Sequence, residues 1–382
     1  MNDPKPAFDW TVTQSSWAPL GRPTPPFGVT AVEIARSCPL RSYFEASDGY
    51  EPRTAFAARI GTAFHRAVQT LSTSSTPGNL PDAASRATST FSSELTAQTA
   101  QADSRPRERD LPRYPERAEH ALEAVIVAAQ RASEASARYS TAVDNTFASE
   151  VEPDSGFGAE IPVRSADGLL VGRIDSVERV AGGVRIVDYK SALRVDLPER
   201  YERQVQLYAH MWRDSYGQWP TEAVVVYPLL GTASSVAVDP GTCERVKRES
   251  LSVIETLLSR RDPRKLATPG EVCSVCEYRP WCEPFWAYQA GAPNETAVLE
   301  RAGVGFEGRV DEIDRRSGHV RLSLWWQGRT VTLLADSERF PQAGRAQVGA
   351  RVRALDWNIR GQRHQPQALA TARSELFLVK DA

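Results

Sequence analysis

Cysteine and lysine are both scarce in this chain. Five cysteines in 382 residues are too few and too unevenly placed for the disulfide framework of a secreted scaffold. No run of 18 or more uncharged apolar residues is present, which excludes a membrane-spanning helix and makes a membrane partner unexpected. The opening residues Met1 to Pro6 lack a basic stretch leading into an apolar core, so no secretory leader is readable and a cytoplasmic location is expected. Lysine occurs five times, at 5, 190, 247, 265 and 380. None of these follows a glycine, and without a Gly-Lys pair the chain has no phosphate-binding P-loop and no Walker-type ATPase of its own.

The remaining composition is that of an ordinary water-soluble chain, 41% hydrophobic and 25% charged, long enough for two or three domains. A net charge of −2 hides an asymmetry. Residues 301–382 carry 14 basic against 9 acidic side chains, and residues 1–300 carry 32 against 39. A basic tail therefore follows an acidic body. Residues 1–26, rich in proline and aromatics without clear periodicity, read as an irregular lead-in. A helix follows from about Thr30, with Thr30 and Glu33 as a capping box and Pro39 interrupting it. A second helix holds Gly61 to Val68. Residues 72–104, dominated by Ser, Thr and Ala, read as a loop or a weakly packed helical insertion, and 118–137 as a firmer helix. Strands are expected over 159–163, 169–177 and 183–190, divided by the hairpin signals Asp167-Gly168 and Gly182-Gly183. A helix (198–216), a strand (223–229) and a helix (243–258) come next. From Val304 onward, five short strands (306–313, 319–326, 330–334, 350–357, 374–379) suggest a small barrel. The divisions are thus a lead-in (1–26), an α/β body (27–297) and a β-rich domain (298–382).

Chemistry concentrates around Asp188-Tyr189-Lys190. On a strand, Asp188 and Lys190 face one way and Tyr189 the other, which sets a carboxylate beside an ammonium. The preceding strand brings Asp175, in Gly172-Arg173-Ile174-Asp175, onto the neighbouring arm of the hairpin. Two carboxylates so placed suit a hard divalent cation that keeps waters for a phosphate substrate. By itself an Asp and a Lys two apart are more often a solvated ion pair. The company alters that reading: His65 upstream, then Gln204 and Tyr208, four apart on one face of the following helix.

This ordered set resembles the PD-(D/E)XK nuclease superfamily, and within it the RecB-like branch. Gly61-x-x-x-His65 is similar to the first motif of that branch, Gly172-Arg173-Ile174-Asp175 to the second, Asp188-Tyr189-Lys190 to the acidic-x-Lys motif, and Gln204-x-x-x-Tyr208 to the helical signature. The resemblance implies a restriction-endonuclease-like core, a central mixed sheet flanked by helices. It implies that His65, Asp175, Asp188 and the carbonyl of Tyr189 hold Mg²⁺ or Mn²⁺ while Lys190 positions the attacking water. Gln204 and Tyr208 would brace the site, and Glu160 resembles an acidic residue often found upstream of the second motif. The activity implied is a metal-dependent deoxyribonuclease, an exonuclease more than an endonuclease, on single-stranded or frayed DNA ends in DNA repair or anti-phage defence, with a separate helicase or ATPase subunit as a partner. The alternative is a non-catalytic DNA-end binding subunit of a helicase or defence complex, against which the intact Asp175, Asp188 and Lys190 speak. A restriction-type endonuclease is a third reading, for which the cysteines would be unexpected.

Cys273-x-x-Cys276-x5-Cys282, with a distant fourth thiol at Cys38, is a strong metal signal that both Zn²⁺ and a [4Fe-4S] cluster accept. One remote cysteine plus a C-terminal trio resembles the iron–sulfur arrangement of CRISPR-associated adaptation nucleases and AddB-type nucleases. That likeness implies a cluster stapling the N-terminal helix to the end of the body, with structural zinc as the alternative. In the tail, the positive charge and Trp325, Trp326 and Trp357 suggest an OB-like barrel that binds single strands by charge and stacking, or tryptophans that are simply core. Alternation along a strand allows at most one of Trp325 and Trp326 to face a groove.

Overall fold

The computed structural model describes residues 8–13, 20–73, 80–142, 158–190, 196–291, 301–361 and 366–380. Strands β1 (Thr11–Thr13) and β2 (Phe27–Gly28) precede helices α1 (Val29–Ser37) and α2 (Pro39–Glu45). Cys38, with extended backbone, separates the two helices, and Pro39 opens the second at a position where its missing N–H is harmless. The expected capping box at Thr30 does not form. Helix α1 starts at Val29 with Gly28 as its N-cap and no side-chain cap, because Glu33 is drawn into a two-pronged pair with Arg203 at 2.6 and 3.0 Å.

Three helices follow: α3 (Phe56–Thr73), α4 (Leu80–Asp103) and α5 (Pro115–Ala142). The Ser/Thr/Ala-rich stretch is thus largely a 24-residue helix. Its hydroxyls, such as those of Thr96 and Thr99, bond to carbonyls four residues back, which satisfies them within the helix, and Ala87 and Phe91 bury one face.

Next come β3 (Gly158–Arg164), β4 (Leu170–Val180), β5 (Gly183–Tyr189), α6 (Glu199–Tyr216), β6 (Glu222–Tyr227), β7 (Thr232–Val236), α7 (Pro240–Ser259) and α8 (Glu283–Gly291). The sheet order is β2-β4-β5-β6-β7, with β3 paired to β4. It is mixed, because β5 runs antiparallel to β4 and parallel to β6. One face packs Ile174, Ile186 and Val225 against α1, α6 and α7. The other packs Val187, Tyr189 and Val226 against α3, α4 and α5. The body is therefore a sheet covered by helices on both faces.

The tail contains β8 (Arg301–Arg316), β9 (His319–Trp326), β10 (Arg329–Asp336), α9 (Pro341–Arg345), β11 (Arg351–Arg360), β12 (Gln367–Leu369) and β13 (Glu375–Lys380). Strand β12, three residues long, is too short to register as an apolar run in the sequence. The pairing path β8-β9-β10-β12-β11 returns to β8, and β10 runs parallel to β12. The lead-in contributes to this sheet: β1 lies parallel to β13, with Thr11 opposite Leu378. The expected domain boundary at 297/298 lies outside the described residues.

Body and tail meet through buried charge. Asp356, in left-handed backbone at φ 61°, takes Arg53 at 2.7 Å and both terminal nitrogens of Arg279 at 2.9 Å. Glu375 takes Arg53 at 3.2 Å and Arg107 at 2.7 Å. Beside them Phe285 and Trp286 pack against Leu355 and Phe377. Among the described residues no helix is long and apolar enough to cross a membrane.

Candidate active site

The strands bring three carboxylates to one level. Ala159 pairs with Ser176 and Ile161 with Ile174, so Glu160 stands opposite Asp175. One step on from the Ser176–Val187 pair, Asp175 meets Asp188. Glu160 adopts left-handed backbone, φ 58°, which costs a side-chain-bearing residue about 1–2 kcal/mol; such strain concentrates at functional sites. The ladder between β4 and β5 ends here, and the Asp175 carboxylate accepts the Tyr189 N–H at 2.7 Å.

Helix α3 supplies His65, whose Nδ1 is 3.5 Å from Asp175 Oδ1. His65, Glu160 and Asp175 each offer a ligand atom within 4.8 Å of the others. This set of one imidazole and two carboxylates suits a divalent cation. Burial, then the nearby Lys190 ammonium, pushes the His65 pKa down, which leaves a neutral imidazole free to donate its lone pair. Burial also pushes Asp175 and Asp188 each up to about 6, and the mutual proximity of the two carboxylates adds to the rise at Asp188. A cation among them relieves that cost.

Asp188 stands outside the close trio and organises the second half of the site. Its Oδ2 is 2.7 Å from Lys190 Nζ, and its Oδ1 accepts from Gln204 Nε2 at 3.0 Å. Lys190 donates to Gln204 Oε1 at 3.0 Å. Asp188, Lys190 and Gln204 therefore form a closed ring of contacts, and Gln204 also donates to Tyr208 Oη at 3.2 Å. Gln204 and Tyr208 share a face of α6, one turn apart. Gly172 permits their approach, since a Cβ there would lie 2.6 Å from the Tyr208 ring. As alternation requires, Tyr189 turns the other way, its ring 6.1 Å from that of Phe64. Sequence reasoning missed Tyr201, whose ring lies 4.9 Å under Lys190 Nζ and which sits one turn before Gln204. It also gave no role to Arg173, which is 3.4 Å from Glu160.

The four cysteines converge at the other end of the body. Cys38 closes α1, Cys273 lies within a short 3₁₀ turn that Cys276 caps, and Cys282 immediately precedes α8. All four are unpaired as disulfides and partly buried. Thr268 ties this loop to α1 through the Ser37 carbonyl at 2.7 Å. The Gly270 N–H donates to Cys273 Sγ at 3.5 Å. Burial pushes the Cys273 and Cys282 thiols up and Cys276 to about 11, and each of these three feels Cys38. Tetrahedral zinc would draw thiolates to about 3.8 Å of one another. Among the described residues, no three of these sulfurs lie within 4.8 Å.

A family model described as the PD-(D/E)XK nuclease superfamily matches residues 26–283. No curated protein matches the chain. Among solved structures, it is similar to the tetrameric p202 HIN2 (12% identity, 20% of this chain and 42% of that one, TM-score 0.18). It therefore spans less than half the length of that relative. It is also similar to a replication factor A related protein from Methanobacterium thermoautotrophicum (20% identity, 20% and 83%, TM-score 0.17). A third likeness is to a murine DNA binding protein bound with double-stranded DNA (10% identity, 58% and 90%, TM-score 0.19). At such TM-scores a shared fold does not follow.

Proposed function

The chain belongs to the PD-(D/E)XK nuclease superfamily, whose members are metal-dependent nucleases, and on that premise we propose that it is a RecB-like deoxyribonuclease, acting as an exonuclease on single-stranded or frayed ends. The observation that carries the reading is the ring of Asp188, Lys190 and Gln204 set beside the His65–Glu160–Asp175 trio. His65, Asp175, Asp188 and the Tyr189 carbonyl, with Glu160 at the rim, would hold Mg²⁺ or Mn²⁺. A bound ion supplies Lewis acidity toward the scissile phosphate and lowers the pKa of a bound water. Lys190, fixed by Gln204 and Asp188, holds a positive charge where negative charge develops. Gln204 keeps that ammonium in register, and Tyr208 steadies Gln204.

The four cysteines are read as ligands of a [4Fe-4S] cluster that staples α1 to the end of the body. The order of the ligands along the chain, one remote cysteine and a C-terminal trio, supports this over zinc. The closed β8-β9-β10-β12-β11 path, with β10 parallel to β12 and α9 inserted before β11, is read as an OB-like barrel that guides a single strand. Trp325 is 51% exposed and lies between Arg309 and Thr330, while Trp326 and Trp357 are core. One stacking platform beside an arginine suits a strand held by charge and base stacking. DNA repair or anti-phage defence, with a separate helicase or ATPase, is the setting proposed. The test is purified protein with Mg²⁺ or Mn²⁺ on end-labelled single- and double-stranded DNA and RNA. Metal-dependent shortening of single-stranded DNA from an end is expected, and no cleavage of any substrate would overturn the proposal.

A further inference from the structure

We propose that Arg173 is a cation held in reserve, competing with the divalent metal for Glu160 in the free protein and moving to a substrate phosphate when metal and strand are bound. This rests on the nuclease reading of the site and adds a coupling between its two ligands.

Four observations carry it. Arg173 Nε is 3.4 Å from Glu160 Oε2, and Glu160 is one of the three groups within metal-binding reach of each other. Its side chain is 60% exposed, so the contact holds it loosely, and ion pairs of this kind contribute at most about 1 kcal/mol. Arg173 lies two positions from Asp175 on β4, so it is carried by the strand that carries the site. It also lines two cavities. One of about 680 Å³ is bounded by Gly61, His65, Arg66 and Glu160. The other, of about 570 Å³, is bounded by Thr30, Arg164, Gly172 and Tyr208. Arg173 thus borders open space beside the carboxylates that a strand could enter. A guanidinium presents paired N–H donors that match phosphate as well as carboxylate, so the exchange of Glu160 for phosphate keeps its donors satisfied.

The consequence is reciprocal. Metal binding at Glu160 frees Arg173 for phosphate, and phosphate binding removes the competitor of the metal. Each ligand therefore tightens the other by the same factor.

The test compares wild type with Arg173→Gln and Arg173→Lys, using Mn²⁺ titrated by calorimetry with and without a short single-stranded DNA, and DNA affinity measured in Ca²⁺ over a range of salt. In Arg173→Gln, Mn²⁺ should bind the free protein about two- to fivefold more tightly. The DNA-induced gain in Mn²⁺ affinity should shrink, and the slope of log DNA affinity against log salt should fall by about 0.7, one phosphate contact on a single strand. Arg173→Lys should keep that slope. Unchanged Mn²⁺ affinity with an unchanged salt slope in Arg173→Gln would overturn the proposal. Asp175→Asn separates this from failure of the nuclease reading. If Asp175→Asn leaves Mn²⁺ affinity intact, the metal site itself is misassigned; if Asp175→Asn abolishes Mn²⁺ binding and Arg173→Gln behaves as wild type, only the role of Arg173 fails.

Discussion

Replacing Asp175 by Asn should stabilise the metal-free protein at about pH 8 while removing its response to metal. Burial pushes Asp175 from 3.8 up to about 6 in the folded state. A folded pKa above the unfolded one means that the folded protein binds the proton more tightly. The stability this contributes is complete below about pH 3.8 and lost as pH rises through about 6. A shift of about two units corresponds to about 3 kcal/mol, so holding Asp175 ionised at about pH 8 costs the metal-free fold up to that amount. Asp188, pushed up to about 6 by burial first and by Asp175 to a lesser degree, adds to the burden and is partly relieved by the same substitution. Asparagine keeps an oxygen to accept the Tyr189 N–H, so the backbone contact survives. The expected gain is about 1–3 kcal/mol in urea unfolding at about pH 8 in EDTA, shrinking as the pH is lowered through about 6 towards 4. Free Mn²⁺ at a hundred times its dissociation constant should add about 2.7 kcal/mol to wild type and little to the variant. A variant that is less stable than wild type at about pH 8, yet keeps the wild-type metal response, would refute the assignment of buried, repelling carboxylates to a cation site.

Asp356→Ala leaves Arg53 and Arg279 buried without their shared partner at the seam between body and tail. It should cost about 3–5 kcal/mol in urea unfolding, whereas Asp314→Ala, which frees the exposed Arg316, should cost under about 1 kcal/mol; equal costs would deny the seam its structural weight. Protein purified without oxygen should be brown with about four irons per chain, and Cys273→Ala should bleach it, while a colourless protein with one zinc per chain would replace the cluster by a zinc staple. Trp325→Ala should weaken single-strand binding by about 1–3 kcal/mol without loss of stability, and Trp326→Ala should instead destabilise the tail, an order that reverses if the groove lies on the other face.

The candidate site is legible in the sequence because its determinants are local. Asp175, Asp188 and Lys190 sit on the two arms of one hairpin whose turn, Gly182-Gly183, announces itself, and alternation alone separates Asp188 and Lys190 from Tyr189. Gln204 and Tyr208 follow on a helix with a clear apolar face. What escaped is long-range and charged. The pairs Arg53–Asp356 and Arg107–Glu375 join residues about three hundred positions apart, and in an arginine-rich sequence a buried arginine looks like any surface one. The same seam argues against a tail that could be removed cleanly, since truncation after about residue 297 would uncover Phe285, Trp286 and three arginines together. The lead-in looks irregular in sequence because β1 has only three residues and gains its order from β13. The capping box at Thr30 failed for a related reason: Arg203, far along the chain, claims Glu33.

The most direct test of the central claim is the single-turnover rate of Mn²⁺-dependent cleavage of end-labelled single-stranded DNA by Lys190→Ala, with DNA affinity measured in parallel in Ca²⁺. Removing a positioned group of this kind typically costs 10²–10⁴-fold in rate. A loss of about that size is expected, with DNA affinity close to wild type. Cleavage at the wild-type rate would contradict it.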